Sequence, residues 1–574
     1  MTRWKRVAFW VCFGAIVLLA VNLSGRCVAS HLPYFGLYHD DAIYVVTAKS
    51  LAEGTGYRIV SLPGAPLQTK YPILYPLLVS AVWKLNPAFP DNLLLIDWLN
   101  VLLGLGFGLS AVLYLLRTRR VSLGVAVVIA GATLLNIKFL SFLPMSMSDS
   151  TFAIVSVAAL WLAEVTARPR STGIGAPVLL GVLETLSTLA RGTGMCLAPV
   201  TTLYLLIWRQ VKRAILSVCV FLALAGPYWW WIQTHQSLKS SSMVFYTSHS
   251  RWAATTYRDV GLPTVVAHKI HDVFHSAHQL VWPLLGQIPY ARLSAPEFFL
   301  IYRVGYLILW LIVLTGILRE LSNRRRCLLP LYFLSYSAGT LMWPGWFEWR
   351  IALAVLPFIY YFYYRGFRFF AAAVKTHLSV RQRRVWAQVC CVLAVCFGVY
   401  LITGSAWSSI LKAGQYPRRL PFRADITRGD ELADVQKAYE WIRKSTPSTA
   451  VLVSTNDPLV YLYTGRRGLQ PSPYQGWRVH GPDLMLITPG SLAWAIKESG
   501  AAYVLVDPSY QAGYLVYAQL GLAVAELNKF VPNLLSLKYV SPHGVMIIFE
   551  VNQQALGEAL AKFPPEGEQA LSQS

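Results

Sequence analysis

Residues 38–44 read Tyr38-His39-Asp40-Asp41-Ala42-Ile43-Tyr44 and place two adjacent carboxylates just beyond the first hydrophobic segment of the chain. That segment, Val7–Leu23, follows the basic start Arg3-Trp4-Lys5-Arg6. A basic flank of this kind predicts a cytoplasmic N-terminus and a retained first membrane helix. The acid pair is then expected outside, at the edge of the bilayer, where two charges are costly unless they have a function.

The composition of the 574 residues is that of a protein with many membrane spans. Hydrophobic residues make up 55% of the chain, charged residues only 13%, and the mean hydropathy is +0.46, whereas a soluble domain is typically about a quarter charged. The net charge of +23 raises the question of nucleic acid binding. The excess lies in short clusters between hydrophobic segments, with no basic stripe of interleaved aromatic residues, so nucleic acid is not expected as a partner.

Eleven membrane spans are predicted from the hydrophobic segments and from the charges of the loops between them. After Val7–Leu23 they are Leu94–Leu116, Val121–Leu135, Thr151–Val165, Val178–Ala190, Met195–Trp208, Ala214–Trp231, Phe298–Leu318, Leu328–Trp343, Ile351–Tyr364 and Ala387–Thr403. Every second loop is basic, as the positive-inside rule requires. The odd number of spans places the C-terminus on the periplasmic, extracytoplasmic side of an inner (plasma) membrane.

Two shorter helices, Asp41–Glu53 and Pro72–Leu85, are predicted in the first outer loop. Both are short of the roughly 20 residues that cross a bilayer. We expect them to lie along the outer interface, in contact with membrane lipids.

A later outer loop, from Ile232 to Glu297, carries histidines at helical spacings of three, four and three. They are His268, His271, His275 and His278. Such a face could bind a metal, and it could equally be the polar face of a helix at the membrane surface.

From Ser405 the composition changes to that of a soluble domain, with 15 Lys/Arg against 14 Asp/Glu. Predicted helices are Asp430–Lys444, a helix beginning at Asn456-Asp457-Pro458, and Ser491–Ser499. Predicted strands are Ala450–Val453, Tyr503–Val506, Leu535–Val540 and Val545–Val551. We therefore predict an all-α polytopic membrane domain over residues 1–404 and a small extracytoplasmic α/β domain over residues 405–574.

Charged residues that are expensive in lipid recur on the predicted outer side of the spans. They are Asp40, Asp41, Lys70, Asp149, Arg191 and Arg350. Carboxylates together with cations suit an acceptor nucleophile and an anionic, lipid-linked leaving group. Lysine and arginine neutralise a phosphate, arginine in a bidentate way, and neighbouring acids raise one another's pKa, which favours a general base.

The acid pair and the element after it resemble the GT-C class of glycosyltransferases that use polyprenyl-phosphate-linked sugars. The resemblance is greatest to the branch of the protein O-mannosyltransferases and the lipid A aminoarabinose transferase. Their first outer loop carries an Asp-Asp or Asp-Glu pair and a tyrosine three residues after the second acid, here Asp40-Asp41 and Tyr44. Their Lys-Pro-Pro or Tyr-Pro-Pro-Leu-Tyr-Pro element reads Lys70-Tyr71-Pro72-Ile73-Leu74-Tyr75-Pro76 here.

The chain departs from this pattern at two positions and matches it loosely at three more. Ile73 replaces the second proline, and Thr69 stands where the aminoarabinose transferase has a glutamate, which puts a mechanism using that glutamate in question. The looser matches are Ser148-Asp149, Leu189-Ala190-Arg191, and Arg350 with Pro357.

The resemblance covers about residues 1–404 and implies a GT-C-like fold with an inverting glycosyltransferase activity. A sugar would pass from a polyprenyl-phosphate-linked donor to a lipid, glycan or protein acceptor, with Asp40 or Asp41 as the general base. The residues implied in binding the lipid phosphate and sugar are Lys70, Tyr44, Asp149, Arg191 and Arg350.

Simpler interpretations stand beside these roles. The acids at positions 40, 41 and 149 could cap helices, Lys70 could extend to the interface, and Arg350 could pair with Glu348. A divalent metal, Mg or Mn, could bind the Asp40/Asp41 pair, as in oligosaccharyltransferases of the same class. A transporter or flippase of a lipid-linked saccharide and a non-catalytic scaffold are the rival functions.

Overall fold

The computed structural model describes the chain in twelve stretches. They are residues 3–32, 35–36, 39–119, 121–168, 173–237, 241–267, 270, 296–342, 352–415, 429–471, 487–507 and 513–563. Within them the chain is mainly helical, with one small sheet near the C-terminus.

Helices fill most of the first 415 residues. They are α1 (Arg3–His31), α2 (Asp40–Ala52), α3 (Leu74–Leu85), α4 (Leu93–Thr118), α5 (Leu123–Leu134), α6 (Ile137–Phe142), α7 (Asp149–Thr166), α8 (Gly175–Ala190), α9 (Leu197–Ile207), α10 (Val211–His235), α11 (Ser241–Thr247), α12 (His249–Val260), α13 (Pro296–Leu321), α14 (Leu328–Leu341), α15 (Leu356–Thr376) and α16 (Val380–Gln415). A 3-10 turn, Gly192–Cys196, joins α8 to α9. Each of the eleven segments predicted to cross the membrane overlaps one of these helices.

Six described helices are long and apolar enough to cross a membrane. They contain the stretches Val7–Ala29, Leu93–Thr118, Asp149–Thr166, Val211–His235, Val304–Leu321 and Val380–Trp407. The protein is therefore a multi-pass membrane protein, whereas the number of eleven spans stays a prediction. Shorter apolar helices such as α5 and α8 pack among the long ones.

Helices α13 and α15 pack closely because glycines face each other across their contact. A Cβ at Gly316 would lie 2.1 Å from the carbonyl oxygen of Phe362, and one at Gly366 would lie 1.9 Å from that of Ile312. Small residues that let two backbones approach in this way are typical of helix contacts in membranes.

The C-terminal region, residues 429–563, is an α/β unit around a five-stranded sheet. Its elements are α17 (Gly429–Ser445), β1 (Val451–Ser454), α18 (Asp457–Thr464), β2 (Arg467–Leu469), α19 (Pro489–Ser499), β3 (Tyr503–Val506), α20 (Gly513–Phe530), β4 (Leu535–Val540), β5 (Ile547–Val551) and α21 (Leu556–Lys562). The strand order is β2-β1-β3-β5-β4. Strand β1 runs parallel to β2 and β3, whereas β5 runs antiparallel to β3 and β4.

The predicted small α/β unit is thus confirmed. Three of its elements were not predicted from the sequence. Strand β2 has three residues, too few for a readable alternation. Helices α20 and α21 were not predicted. The predicted domain boundary at Ser405 falls inside α16, which continues to Gln415, so the division into residues 1–404 and 405–574 stays a prediction.

Helices α2 and α3 pack on each other and position the candidate site. Helix α2 begins one residue earlier than predicted, at Asp40, and nine of its thirteen residues are buried. It also contacts α18 of the C-terminal region. The start of α2 therefore lies between the membrane helices and the C-terminal region.

Candidate active site at the start of α2

The two acids of the pair have different surroundings. Asp41 is fully buried, and its carboxylate accepts backbone hydrogen bonds from Gly36 (3.0 Å) and Ala42 (2.8 Å). Burial raises the pKa of Asp41 to about 6, against the lowering effect of His31 and of the two backbone N–H groups. Asp41 therefore ties the start of α2 to the loop before it.

Asp40 is partly exposed and lies in the first turn of α2, where the helix dipole favours a negative charge. Its carboxylate accepts a hydrogen bond from the hydroxyl of Tyr71, a residue of the Lys/Pro element. Of the two acids, Asp40 is the more exposed.

Lys70 supplies a cation beside Asp40. Its ammonium lies 4.0 Å from the ring centre of Phe245 and 5.1 Å from that of Tyr71. Burial lowers the pKa of Lys70 to about 8, and the negative charge of Asp40 opposes that shift. Aromatic rings and a nearby carboxylate thus hold this ammonium at the site, which favours a site role over simple extension to the interface.

Arg191 and Asp149 form an ion pair between the end of α8 and the start of α7. The Nη1 atom of Arg191 lies 2.6 Å from Oδ1 of Asp149, at side-chain exposures of 19% and 4%. Asp149 is the first residue of α7, and Arg191 directly follows α8. The buried carboxylate thus holds a partly exposed guanidinium near the start of α7.

Tyr44 connects α2 to both of these groups. Its hydroxyl lies 3.1 Å from Oγ of Ser148, the residue before α7. Its ring centre lies 4.9 Å from that of Tyr71 and 5.1 Å from that of Tyr75. The acid pair, the Lys/Pro element and the start of α7 therefore meet around this one side chain.

The charges of these groups act on the hydroxyl of Tyr44. Burial raises the pKa of Tyr44 to about 12; Arg191 lowers it, and the charges of Asp40 and Asp149 raise it further. The negative charge of Asp40 also acts on Lys70, whose pKa it raises against the effect of burial. Two carboxylates and two cations from four separate segments thus interact in one place.

His249 belongs to this cluster and was not predicted from the sequence. It begins α12, and its ring centre lies 5.5 Å from that of Tyr71. Burial lowers the pKa of His249 to about 3, and the positive charges of Lys70 and Arg191 act in the same direction. It is therefore neutral at physiological pH.

Two sequence predictions fall outside the described residues. The first is the predicted binding of the lipid phosphate by Arg350. The second is the possible metal-binding helix face formed by His268, His271, His275 and His278.

The acids of this cluster have protein partners among the described residues, and a divalent metal at the Asp40/Asp41 pair stays a prediction. Both carboxylate oxygens of Asp41 accept backbone N–H groups, Asp40 accepts a tyrosine hydroxyl beside the ammonium of Lys70, and Asp149 pairs with Arg191. No group of three His, Cys, Asp or Glu residues that could hold a metal occurs in the part of the chain that the structure describes. In the described residues, Lys70 and Arg191 bring positive charge to this site.

A multi-pass helical bundle followed by a small C-terminal α/β unit is the architecture expected of the GT-C class. Comparison with solved structures confirms this fold. The archaeal oligosaccharyltransferase AglB from Archaeoglobus fulgidus, in complex with an inhibitory peptide and a dolichol-phosphate, aligns with a TM-score of 0.54 at 14% identity. The alignment covers 96% of this chain and 75% of that one.

Two further structures agree. ArnT from Cupriavidus metallidurans bound to undecaprenyl phosphate aligns with a TM-score of 0.54 at 13% identity, over 94% of this chain and 99% of that one. The Archaeoglobus fulgidus oligosaccharyltransferase in complex with Zn and sulfate gives 0.53 at 14% identity, over 93% and 73%. No family model and no curated protein matches the sequence. The fold is that of the GT-C class, as predicted.

Proposed function

We propose that this protein is a membrane-embedded glycosyltransferase that moves a sugar from a polyprenyl-phosphate-linked donor to an acceptor, with inversion. The observation that carries the proposal is the meeting of the accessible carboxylate of Asp40 with Lys70 and Arg191 around Tyr44. A base and two cations at one place suit the removal of a sugar from a phosphate. The GT-C fold raises the expectation of this chemistry.

Lys70 and Arg191 hold the phosphate of the lipid carrier. As the bond between the sugar's anomeric carbon and the phosphate oxygen breaks, negative charge grows on the phosphate, and two fixed cations stabilise that charge. Asp149 keeps the Arg191 side chain in place through its ion pair. Arg350, beyond the described residues, is proposed as a third cation for the same phosphate.

Asp40 acts as the general base. It takes the proton of the acceptor's nucleophile while that nucleophile attacks the anomeric carbon from the face opposite the phosphate, which inverts the configuration. The Tyr71 hydroxyl favours the ionised form of Asp40. Asp41, the other candidate base, uses its carboxylate to hold the loop before α2.

The donor class is supported by what the similar structures hold. AglB is bound to a dolichol-phosphate and ArnT to undecaprenyl phosphate, and both are polyprenyl phosphates. The acceptor is a lipid, a glycan or a protein. The leaving phosphate brings its own activation, so the reaction needs no nucleotide.

The proposal places the reaction at the outer face of the inner (plasma) membrane. The basic start of the chain and the basic alternate loops support a cytoplasmic N-terminus. Residues 405–574 would then form an extracytoplasmic domain beside the site.

The test uses the full-length protein in lipid vesicles. The co-purifying lipid, identified by mass spectrometry, supplies the donor to be assayed. Asp40→Asn should reduce transfer by at least about 100-fold, the range lost with a general base, while the affinity for undecaprenyl phosphate stays within about twofold. Glu53→Gln, at the opposite end of α2, is the matched control and should keep full transfer.

Two results would overturn the proposal. Unchanged transfer in Asp40→Asn would exclude this residue as the base. Movement of the lipid-linked saccharide across the vesicle membrane without any transfer, in wild type and Asp40→Asn alike, would instead identify a flippase.

A further inference from the structure

The C-terminal region reaches the loop before the acid pair through the first residues of α18. Asp457 is fully buried, and His39, the residue before Asp40, places its Nε2 atom 3.2 Å from the Asp457 carboxylate. Ser61 donates to the same carboxylate at 3.3 Å, and the hydroxyl of Tyr246 donates to it as well. One carboxylate of the C-terminal region thus holds three segments of the helical region.

A second contact runs through the backbone of Gly36. The side-chain amide of Asn456 donates to the Gly36 carbonyl at 2.7 Å, and the Gly36 N–H donates to the Asp41 carboxylate at 3.0 Å. Gly36 has φ +90, and a Cβ there would lie 2.6 Å from Cδ1 of Leu459. The position therefore requires glycine, and the C-terminal region connects to Asp41 through it.

The backbone at His39 is strained. His39 has φ 57 and ψ −50, an arrangement that costs a residue with a side chain free energy. Such a conformation persists only when its surroundings hold it, and the His39 ring is held by Asp457 and packs against Tyr246, with ring centres 5.8 Å apart. Since His39 directly precedes Asp40, its backbone sets where α2 begins and where the Asp40 side chain points.

We propose that Asp457 and Asn456 are positioning residues for the transfer reaction, so that the C-terminal region completes the active site. They fix the backbone of Gly36 and His39, and through it the direction of Asp40. This inference rests on the proposed function. A rival account gives the same contacts a purely stabilising role, and that account predicts no specific effect on the rate.

The test compares two buried aspartates of the C-terminal region. Asp457→Asn keeps the size of the side chain but replaces one carboxylate oxygen, an acceptor, with an amide NH2 group, a donor. That donor then faces the hydrogen-bond partners of Asp457. Asp434→Asn is the matched control, because Asp434 is equally buried and accepts from Ser541 (2.6 Å) and from the backbone and ring of His543 (both 3.0 Å). Each variant loses hydrogen bonds of one buried carboxylate, so both should lower the melting temperature.

Two readouts separate positioning from stability. At a temperature where both variants stay folded, Asp457→Asn should lower kcat at least about tenfold with the donor KM within about twofold, and Asp434→Asn should leave both near wild type. Hydrogen–deuterium exchange over residues 35–44 of the full chain should become at least about fivefold faster in Asp457→Asn only. Asn456→Ala is a milder variant for the case that Asp457→Asn fails to fold, because it removes only the hydrogen bond to Gly36. It should change kcat and the exchange rate in the same direction as Asp457→Asn.

Equal kcat values in the Asp457→Asn and Asp434→Asn proteins would overturn the inference, and so would unchanged exchange over residues 35–44. A wild-type protein without any transfer activity would refute the proposed function instead. The exchange experiment would then still decide whether Asp457 fixes the loop.

Discussion

The guanidinium of Arg191 and the carboxylate of Asp149 lie 2.6 Å apart and join the end of α8 to the start of α7. The carboxylate is buried and the guanidinium is partly exposed. A guanidinium presents five N–H donors in a planar fork, so one edge can hold a carboxylate while another holds a phosphate. The pair therefore neutralises a buried acid and presents a rigid cation at the candidate site.

Arg191→Lys should weaken binding of undecaprenyl phosphate by about tenfold, because lysine keeps the charge but loses the planar fork. Binding is measured by titration of the protein in detergent or nanodiscs. Arg213→Lys is the matched control, since Arg213 donates to the carbonyl oxygens of Thr166 and Arg168 at the opposite end of α7. Equal losses in the two variants would contradict a specific role of Arg191.

Binding of the lipid phosphate should depend on pH through Lys70. The pKa of Lys70 is lowered to about 8, so the side chain is charged below pH 8 and loses its charge above it. A phosphate monoester keeps its charge in that range, because its second pKa is near 6. The affinity for undecaprenyl phosphate should therefore be constant near pH 7 and fall, by about tenfold, as the pH rises to 10.

Lys70→Arg tests the assignment of this pH dependence. Arginine stays protonated throughout the range, so the variant should bind with a flat pH profile between 7 and 10. A profile in Lys70→Arg that falls like that of wild type would show that another group titrates.

The helical scaffold was predictable because a bilayer imposes a length and a composition on each span. The start of α2 was predicted within one residue, since two acids favour a helix N-terminus. Adjacency in sequence says nothing about burial, and so the different surroundings of Asp40 and Asp41 could not be foreseen.

Contacts between segments far apart in the chain also could not be predicted from the sequence. Asp457 lies 418 positions from His39, and its sequence context indicated only a helix start. His249 has no neighbouring motif, whereas the four later histidines drew notice by their spacing. Its place in the cluster depends on how α12 packs beside Tyr71.

Tyr71→Phe should lower kcat by about three- to tenfold and move the acid limb of the pH–rate profile to higher pH. The Tyr71 hydroxyl donates to the Asp40 carboxylate and favours its ionised form. Without it, the base becomes protonated at a higher pH and activity disappears earlier on acidification. The measurement is kcat against pH for transfer from a saturating donor.

Tyr57→Phe is the control for this prediction. The Tyr57 hydroxyl donates to the backbone carbonyl of Tyr71 at 2.9 Å, so it lies beside the same segment without touching the carboxylate. Its removal should leave the acid limb where it is in wild type. An unshifted limb in Tyr71→Phe would mean that this hydroxyl does not influence the group that titrates.

Removal of divalent metals should leave transfer within about twofold of its starting rate. The carboxylate of Asp40 accepts from a tyrosine hydroxyl, that of Asp41 accepts from backbone N–H groups, and that of Asp149 pairs with Arg191. Lys70 provides positive charge beside Asp40.

A ligand present at 100 times its Kd stabilises the folded state by about 2.7 kcal/mol, so a metal bound at this site would raise the melting temperature. We expect millimolar Mg²⁺ or Mn²⁺ to leave the melting temperature unchanged after dialysis against EDTA. A rise in the melting temperature, together with loss of transfer in EDTA and its recovery with either ion, would show that residues beyond the described ones complete a metal site.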